Sequence, residues 1–206
     1  MPEPNLLKKL LHVGCGPARI HNTTKGFISG GWKEIRLDID ESVSPDIIGS
    51  MTDMAQVEDG SVDAIFSSHN IEHLYPHDVR VALKEFMRVL KDDGFCVITC
   101  PDLQSVCQLV AEDKLTDAAY ESPAGPIAPI DILYGHRGFM SQGKLYMAHR
   151  CGFTEKVLRG TLISVGFQTI ATIKRPSAFD LWAIATKKAL NETEIELLAR
   201  DHLPLG

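Results

Sequence analysis

"VDAIFSSHNIEHLYP", residues 62–76, decides how the chain is read. It contains His69-Asn70-Ile71-Glu72-His73, an H-x-x-E-H pattern. On a helix, two histidines four apart share a face, with Glu72 beside them as a candidate base, so the pattern would be a metal site if a helix were present. It directly follows the β-like run 62–66, and Pro76 comes three residues after His73, leaving little more than one helical turn before a breaker. The stretch therefore reads as a strand-to-helix loop, and no metal is expected there.

The same alternation extends in both directions. Val79, Ala82, Leu83, Phe86 and Leu90 fall at helical spacing, with Pro76 near the start of that helix and Gly94 past its end. Residues 95–101 follow as a strand that Pro101 stops, and Asp102 can cap another helix. Upstream, the apolar run 10–13 ends abruptly at Gly14-Cys15-Gly16, residues 35–37 lead into Asp38, and 46–48 make a short third strand. Downstream, Thr154 caps a helix that Gly166 ends. Residues 167–175 and 180–188 are two strands joined by four residues, Pro176 to Phe179, too few for a parallel crossover, so the pair must be antiparallel. Strands alternating with helices predict an α/β sheet. The 38–46 connection is too short for a full crossover helix, which leaves one face of the sheet thinly covered. The last helical stretch, with Ile195 and Leu198 on one side, can pack on the body of the domain or on a second copy in a homodimer.

The chain has 206 residues and no Ser/Gly/Pro-rich linker, which predicts one domain over 1–206. No run approaches the roughly 18 apolar residues of a membrane span, and no apolar stretch precedes a small-residue cleavage site near the N-terminus. No membrane association is expected, and the expected compartment is the cytoplasm. A net charge of -6 argues against broad binding to nucleic acid. The five cysteines are odd in number and form no CxxC, as suits free thiols in a reducing compartment.

Open α/β sheets bind ligands at the C-terminal ends of their parallel strands. Gly14 and Gly16 stand there, either to let the backbone approach a ligand or to make a tight turn. Asp38 ends the second strand, 22 residues after Gly16, either to accept ribose hydroxyls or as a solvated acid. The third glycine of a dinucleotide fingerprint is replaced by Arg19, which disfavours a nicotinamide-dependent oxidoreductase.

These residues resemble the class I S-adenosylmethionine-dependent methyltransferases over about residues 9–188. "LLHVGCGPARI" is similar to the family's first motif, "GGWKEIRLDID" to its second strand with the ribose acid, and "DIIGSM" to its third strand. "DGSVDAIFSSHNIEHL" with "ALKEFMRVLKDDGFCVITCPDL" resembles its fourth strand, helix and fifth strand, and "HRCGFTEKVLRGTLISVGF" its later helix. The variety it most resembles is the small methyltransferases of the type 11 kind.

The resemblance implies a Rossmann-like sandwich with a mostly parallel seven-stranded sheet whose last strand is antiparallel. It implies S-adenosylmethionine as cofactor, S-adenosylhomocysteine as product, and methyl transfer by in-line displacement to a small-molecule O- or N-acceptor, with no metal required. The cofactor-binding positions it implies are Val13, Gly14, Cys15, Gly16, Asp38, Ile39, Ser50, Met51, Asp53, Ser68, His69 and Asn70. Adenine would rest on Ser50 or Asp53 with Met51 packing, and His69 is the candidate base. Glu72 and His73 would bond neighbouring loop backbone groups. A zinc peptidase, which the H-x-x-E-H pattern alone resembles, would need a longer helix and a further ligand. His12 stands where the family carries a carboxylate, either leaving the methionine ammonium to other groups or serving as a buried, hydrogen-bonded core histidine.

Fewer than ten residues precede the first strand, so the segment 113–150, whose prolines and glycines argue for a loop, is expected to cap the substrate. Tyr134, His136, Arg137, Tyr146 and His149 are its candidate substrate residues, and Arg137 and Arg150 could meet an anionic acceptor. With His12 and Ser50 in place of the usual acids, cofactor binding without methyl transfer is the alternative function.

Overall fold

The apolar run after Leu7 forms strand β1 (Lys8–Val13), whose last four residues are all buried. The computed structural model describes residues 7–122 and 125–205. Residues 1–6 of the N-terminal segment read for a leader, and 123–124 within the capping segment, lie outside the described residues. In chain order, β1 is followed by helix α1 (Lys25–Ile28), β2 (Trp32–Asp38), β3 (Ile47–Ile48), β4 (Val62–Ser68), α2 (Pro76–Val89), β5 (Leu90–Pro101) and α3 (Leu103–Ala111). The segment over 113–150 then carries β6 (Tyr120–Ser122), β7 (Gly125–Ile127), α4 (Pro129–Tyr134) and α5 (Arg137–Ser141). After it come α6 (Glu155–Val165), β8 (Thr169–Arg175), β9 (Asp180–Thr186) and α7 (Glu192–His202).

Seven strands make one sheet in the order β3-β2-β1-β4-β5-β9-β8. The β3-β2, β2-β1, β1-β4 and β4-β5 pairs are parallel, while β9 runs antiparallel to both β5 and β8. The last strand is thus the reversed one, as its four-residue connection requires. Central strand β4 shows how the sheet holds two layers apart. Ile65 points into one core with Leu11, Ile98, α2 (Val79, Leu83, Phe86) and α6 (Leu158, Leu162). Its neighbours Ala64 and Phe66 point into the other with Leu10, Val97 and Phe27 of α1. Alternation along the strand sends successive side chains to opposite faces, so a run with no polar face must be covered on both.

Three expectations are corrected. The helix after Pro76 ends at Val89, and Leu90 turns extended to pair with Val62 as the start of β5. "KDDG", residues 91–94, therefore lies within β5, at the register shift between the Val62–Leu90 and Ala64–Phe95 pairs, and not at the helix end. The face expected to be thinly covered is closed by α7, whose Ile195, Leu198 and Ala199 pack on the second core, with Asn191 and Glu194 forming a capping box at its start. Finally, 113–150 is not a loop. Its prolines and glycines punctuate short elements, Pro129 opening α4 and Gly135 closing it, and Ile127 and Ile132 form a small core with Val106 of α3. Among the described residues no helix is long and apolar enough to cross a membrane.

Candidate functional site

The tips of β1, β2 and β4 surround a cavity of about 630 Å³, within the range that ligand sites occupy. The turn after β1 shapes one wall. Gly14 and Gly16 both take positive φ (61° and 51°), but their missing side chains do different things. A Cβ on Gly14 would stand 2.2 Å from Asn70 Oδ1, whereas one on Gly16 would meet nothing within 4 Å. Asn70 occupies the room Gly14 leaves and donates its amide to the carbonyls of Val13 (2.9 Å) and Ser68 (3.0 Å), tying the tips of β1 and β4 together. The first glycine thus serves a neighbouring side chain, and the second leaves its backbone open to the cavity.

Asp38, at the tip of β2, accepts hydrogen bonds from the backbone N–H of Gly16 (2.7 Å) and Asp40 (2.9 Å). One acceptor site on each oxygen is used, and the carboxylate lines the cavity. Behind it Arg36 is buried, its guanidinium donating to the carbonyls of Gly16, Ala18, Val43 and Ser44. This side chain clamps the two loops that flank Asp38, and no pattern in the sequence singled it out.

The tip of β4 makes the floor. His69 adopts φ 54°, a left-handed conformation uncommon for a residue with a side chain, and its N–H donates to Thr99 O (2.9 Å). The surrounding protein disfavours charge on its ring, but the Glu72 carboxylate, 3.4 Å from Nδ1, outweighs this and raises its pKa. Ser68 Oγ is shared with Thr99 Oγ1 at 2.7 Å.

The segment 113–150 crosses above. Tyr146 donates its hydroxyl to Asp40 Oδ2 (2.7 Å), with Lys144 Nζ 3.6 Å from the same oxygen. The Ser42 and Tyr146 hydrogen bonds hold the Asp40 carboxyl far below its usual range. Tyr146, Lys144, Phe139 and Met147 line the large cavity, and a second chamber of about 170 Å³ adjoins it. His69, His73 and Met147 line both. The smaller chamber adds Glu72, Tyr120, Asp131, His136 and His149.

Of the twelve positions implied for the cofactor, Val13, Gly14, Gly16, Asp38, Ile39, Ser50, Met51, Ser68, His69 and Asn70 line the large cavity. Cys15 and Asp53 do not. Cys15 is turned into the protein, where burial pushes its thiol up to about 11, and Asp53 pairs with Ser50 through backbone and caps Ala55 N–H. Of the substrate candidates, Tyr146 lines the large cavity, and His136 and His149 line the small one. Tyr134 is 62% exposed and lines neither, and Arg137 is held by a forked pair of bonds to Asp131 (2.6 and 3.0 Å). Arg150 reaches the large cavity with its guanidinium over the Tyr75 ring. His12 is a buried core histidine, Nδ1 2.8 Å from Glu34 Oε1 and edge-on to Phe66, away from both chambers.

The H-x-x-E-H stretch is a strand tip followed by a 3-10 turn (Ile71–His73), and its two histidines do not share a helix face. His73 does bond loop backbone, Nδ1 to Ala148 O at 3.2 Å. Glu72 does so only through its main chain, whose carbonyl accepts from the N–H of Arg150 (2.8 Å) and Cys151 (3.2 Å), while neither of its carboxylate oxygens has a hydrogen-bond partner among the described residues.

A family model described as "Methyltransferase domain" matches residues 11–98. No curated protein matches the chain. Solved structures do. One is the 1,6-didemethyltoxoflavin-N1-methyltransferase of Burkholderia thailandensis, with 1,6-didemethyltoxoflavin and S-adenosylhomocysteine bound. It is 15% identical, with 89% of this chain and 72% of that one covered and a TM-score of 0.54. A SAM-dependent methyltransferase of Methanosarcina mazei is 17% identical over 90% of this chain and 94% of that one, with a TM-score of 0.57. One from Archaeoglobus fulgidus is 16% identical over 88% and 86%, with a TM-score of 0.54. At these identities the likeness is one of fold.

Proposed function

We propose that the chain is a class I S-adenosylmethionine-dependent methyltransferase, a reading that the methyltransferase-domain match over residues 11–98 and the sheet order support, and that it methylates a small-molecule acceptor through oxygen or nitrogen. The observation that carries this reading is the meeting of two chambers of about 630 and 170 Å³ at His69, His73 and Met147. One is of cofactor size and ends on an acid, and the other suits a small acceptor.

S-adenosylmethionine, when bound, supplies a methyl group already activated on a sulfonium, with a neutral leaving group. The large cavity fits it. The apolar side chains of Leu37, Ile39, Met51 and Leu74 line its wall, Gly16 leaves the backbone open, and Asp38 keeps acceptor capacity for a ribose. In our assignment Asp38 holds the ribose, and Ser50 and Met51 the adenine. Ser68, His69 and Asn70 form the floor on which methyl and acceptor meet. The work left to the protein is alignment and water exclusion, and positioning of this kind can contribute roughly 7–11 kcal/mol. The segment 113–150 acts as the substrate cap, with His136 and His149 toward the acceptor and Tyr146 on the cofactor cavity. His69, its pKa raised by Glu72, is placed to take a proton from a hydroxyl or amine. Five free cysteines support a reducing, cytoplasmic setting.

Calorimetry with S-adenosylmethionine and S-adenosylhomocysteine tests the cofactor, and one site per chain is expected. Absence of binding at about millimolar concentration, with NADH binding instead, would overturn the reading. Incubation with labelled cofactor and a small-molecule extract, followed by mass spectrometry, should then show label in a low-mass product; label found in none would leave a binding protein without transferase activity.

A further inference from the structure

Glu72 is 1% exposed, and both of its carboxylate oxygens lack a hydrogen-bond partner among the described residues. His69 Nδ1 lies 3.4 Å from Oε1 without the alignment of a hydrogen bond. A buried carboxylate is ordinarily paired, hydrogen-bonded or bound to a metal. Two more donors converge on it. Glu72, His73 and His149 each offer one ligand atom, and these atoms lie within 4.8 Å of one another.

The two imidazoles are also oriented from behind. His73 Nδ1 is 3.2 Å from Ala148 O, and His149 Nδ1 is 2.7 Å from Ile132 O. A carbonyl can only accept, so each Nδ1 carries the hydrogen and each Nε2 keeps a lone pair. Metal-binding histidines are fixed in this way by an outer carbonyl or carboxylate. The rings meet edge to face at 4.9 Å, bringing residues 76 positions apart onto one wall of the smaller chamber.

We propose that Glu72, His73 and His149 bind one divalent first-row transition-metal ion, represented by zinc, with an open coordination position facing the smaller chamber. Two imidazole nitrogens and one carboxylate oxygen suit such an ion better than magnesium or calcium, which prefer oxygen throughout. Three protein ligands leave a position for water or substrate, the pattern of catalytic sites. Binding would draw the three atoms toward the separation of about 3.3 Å that bonds of about 2.0–2.2 Å impose in a tetrahedral shell.

Resting on the methyltransferase reading above, the position would be taken by an acceptor hydroxyl. A bound divalent cation lowers the pKa of a coordinated oxygen. The hydroxyl proton passes to His69, which lines the same chamber, the oxygen forms its bond to the methyl carbon as the carbon–sulfur bond breaks, and sulfur keeps the electron pair as S-adenosylhomocysteine. The acceptor class is then a hydroxyl compound able to ligate a metal.

The test is calorimetric titration of the chelator-treated full chain with zinc chloride, with S-adenosylhomocysteine titrated in parallel. One zinc per chain is expected. Glu72→Gln and His149→Ala should each weaken zinc at least about 100-fold, while His77→Ala, an exposed histidine outside the cluster, binds zinc as the native chain does. S-adenosylhomocysteine binding retained in both variants would show that they fold and that the zinc loss is local. No zinc binding up to about 100 μM, or equal binding in all variants, overturns the metal site. Loss of S-adenosylhomocysteine binding in the native chain, with zinc bound, would instead remove the methyltransferase reading and leave the ion in place.

Discussion

Gly14 and Asn70 form one unit although 56 positions separate them. A methyl group at position 14 would stand 2.2 Å from Asn70 Oδ1 on a backbone already at φ 61°. Gly14→Ala should therefore cost about 3 kcal/mol from backbone strain and overpacking together. Asn70→Ala in the same chain should restore part of it, because it removes the clash and leaves the strain and the lost Asn70 bonds to Val13 and Ser68. Urea unfolding of the four chains of that cycle checks the coupling, and strict additivity would show that the two residues do not interact. Asp38 carries a second expectation. Its two oxygens each accept a backbone N–H, and an amide can accept at only one. Asp38→Asn should raise the dissociation constant of S-adenosylhomocysteine at least about tenfold, a difference of about 1.4 kcal/mol; unchanged affinity by calorimetry would remove Asp38 from the site. At this scale the sequence announced the two glycines and the acid, because a glycine pair and a strand-end carboxylate leave local marks. It did not announce Asn70 as the partner of Gly14, nor Arg36 as the clamp behind Asp38. Those roles consist of contacts to carbonyls and side chains from distant segments.

Elements were legible where periodicity or a cap is local. The antiparallel pair β8–β9 followed from four connecting residues, and α6 from Thr154 and Gly166, which sit as cap and left-handed terminator. The end of α2 was not legible because Leu90 continues the helical spacing, yet its burial is as the strand partner of Val62. The 113–150 segment was the least legible. Its short helices and hairpin are held by contacts such as Tyr146 to Asp40, 106 positions away, that no window can register. The same contact makes the segment a strap fastened beside the tip of β2. Tyr146→Phe should unfasten it, and amides over 137–147 should exchange hydrogen faster while those of β4 and β5 stay protected. Equal exchange in mutant and native chains, read by mass spectrometry, would mean that the strap is held by packing alone.

For the whole molecule, α7 is what makes the sandwich complete. His202 at its end is 4% exposed, packs against Phe27 and Phe95, and shares a 2.6 Å hydrogen bond with Thr24. Burial lowers its pKa to about 4, so the fold requires the neutral ring. The unfolded chain takes up the proton near pH 6.5, before the folded one does. Stability is then fully present above about pH 6.5 and declines as pH falls toward 4, by about 3 kcal/mol for this residue. Denaturant unfolding at pH 7 and pH 4.5 should show the decline, and His202→Gln, which does not titrate, should flatten it; an unchanged slope would assign the acid sensitivity elsewhere.

In its proposed role as base, His69 would set function against endurance. A left-handed backbone is costly for any side-chain-bearing residue, by about 1–2 kcal/mol, and glycine adopts it freely at an entropic cost of roughly half that. His69→Gly should consequently melt no lower than the native chain while losing turnover. Directed evolution toward heat resistance alone would discard this histidine early, so its retention in a library screened for catalysis and its loss in one screened for survival would together mark the residue the enzyme keeps for chemistry.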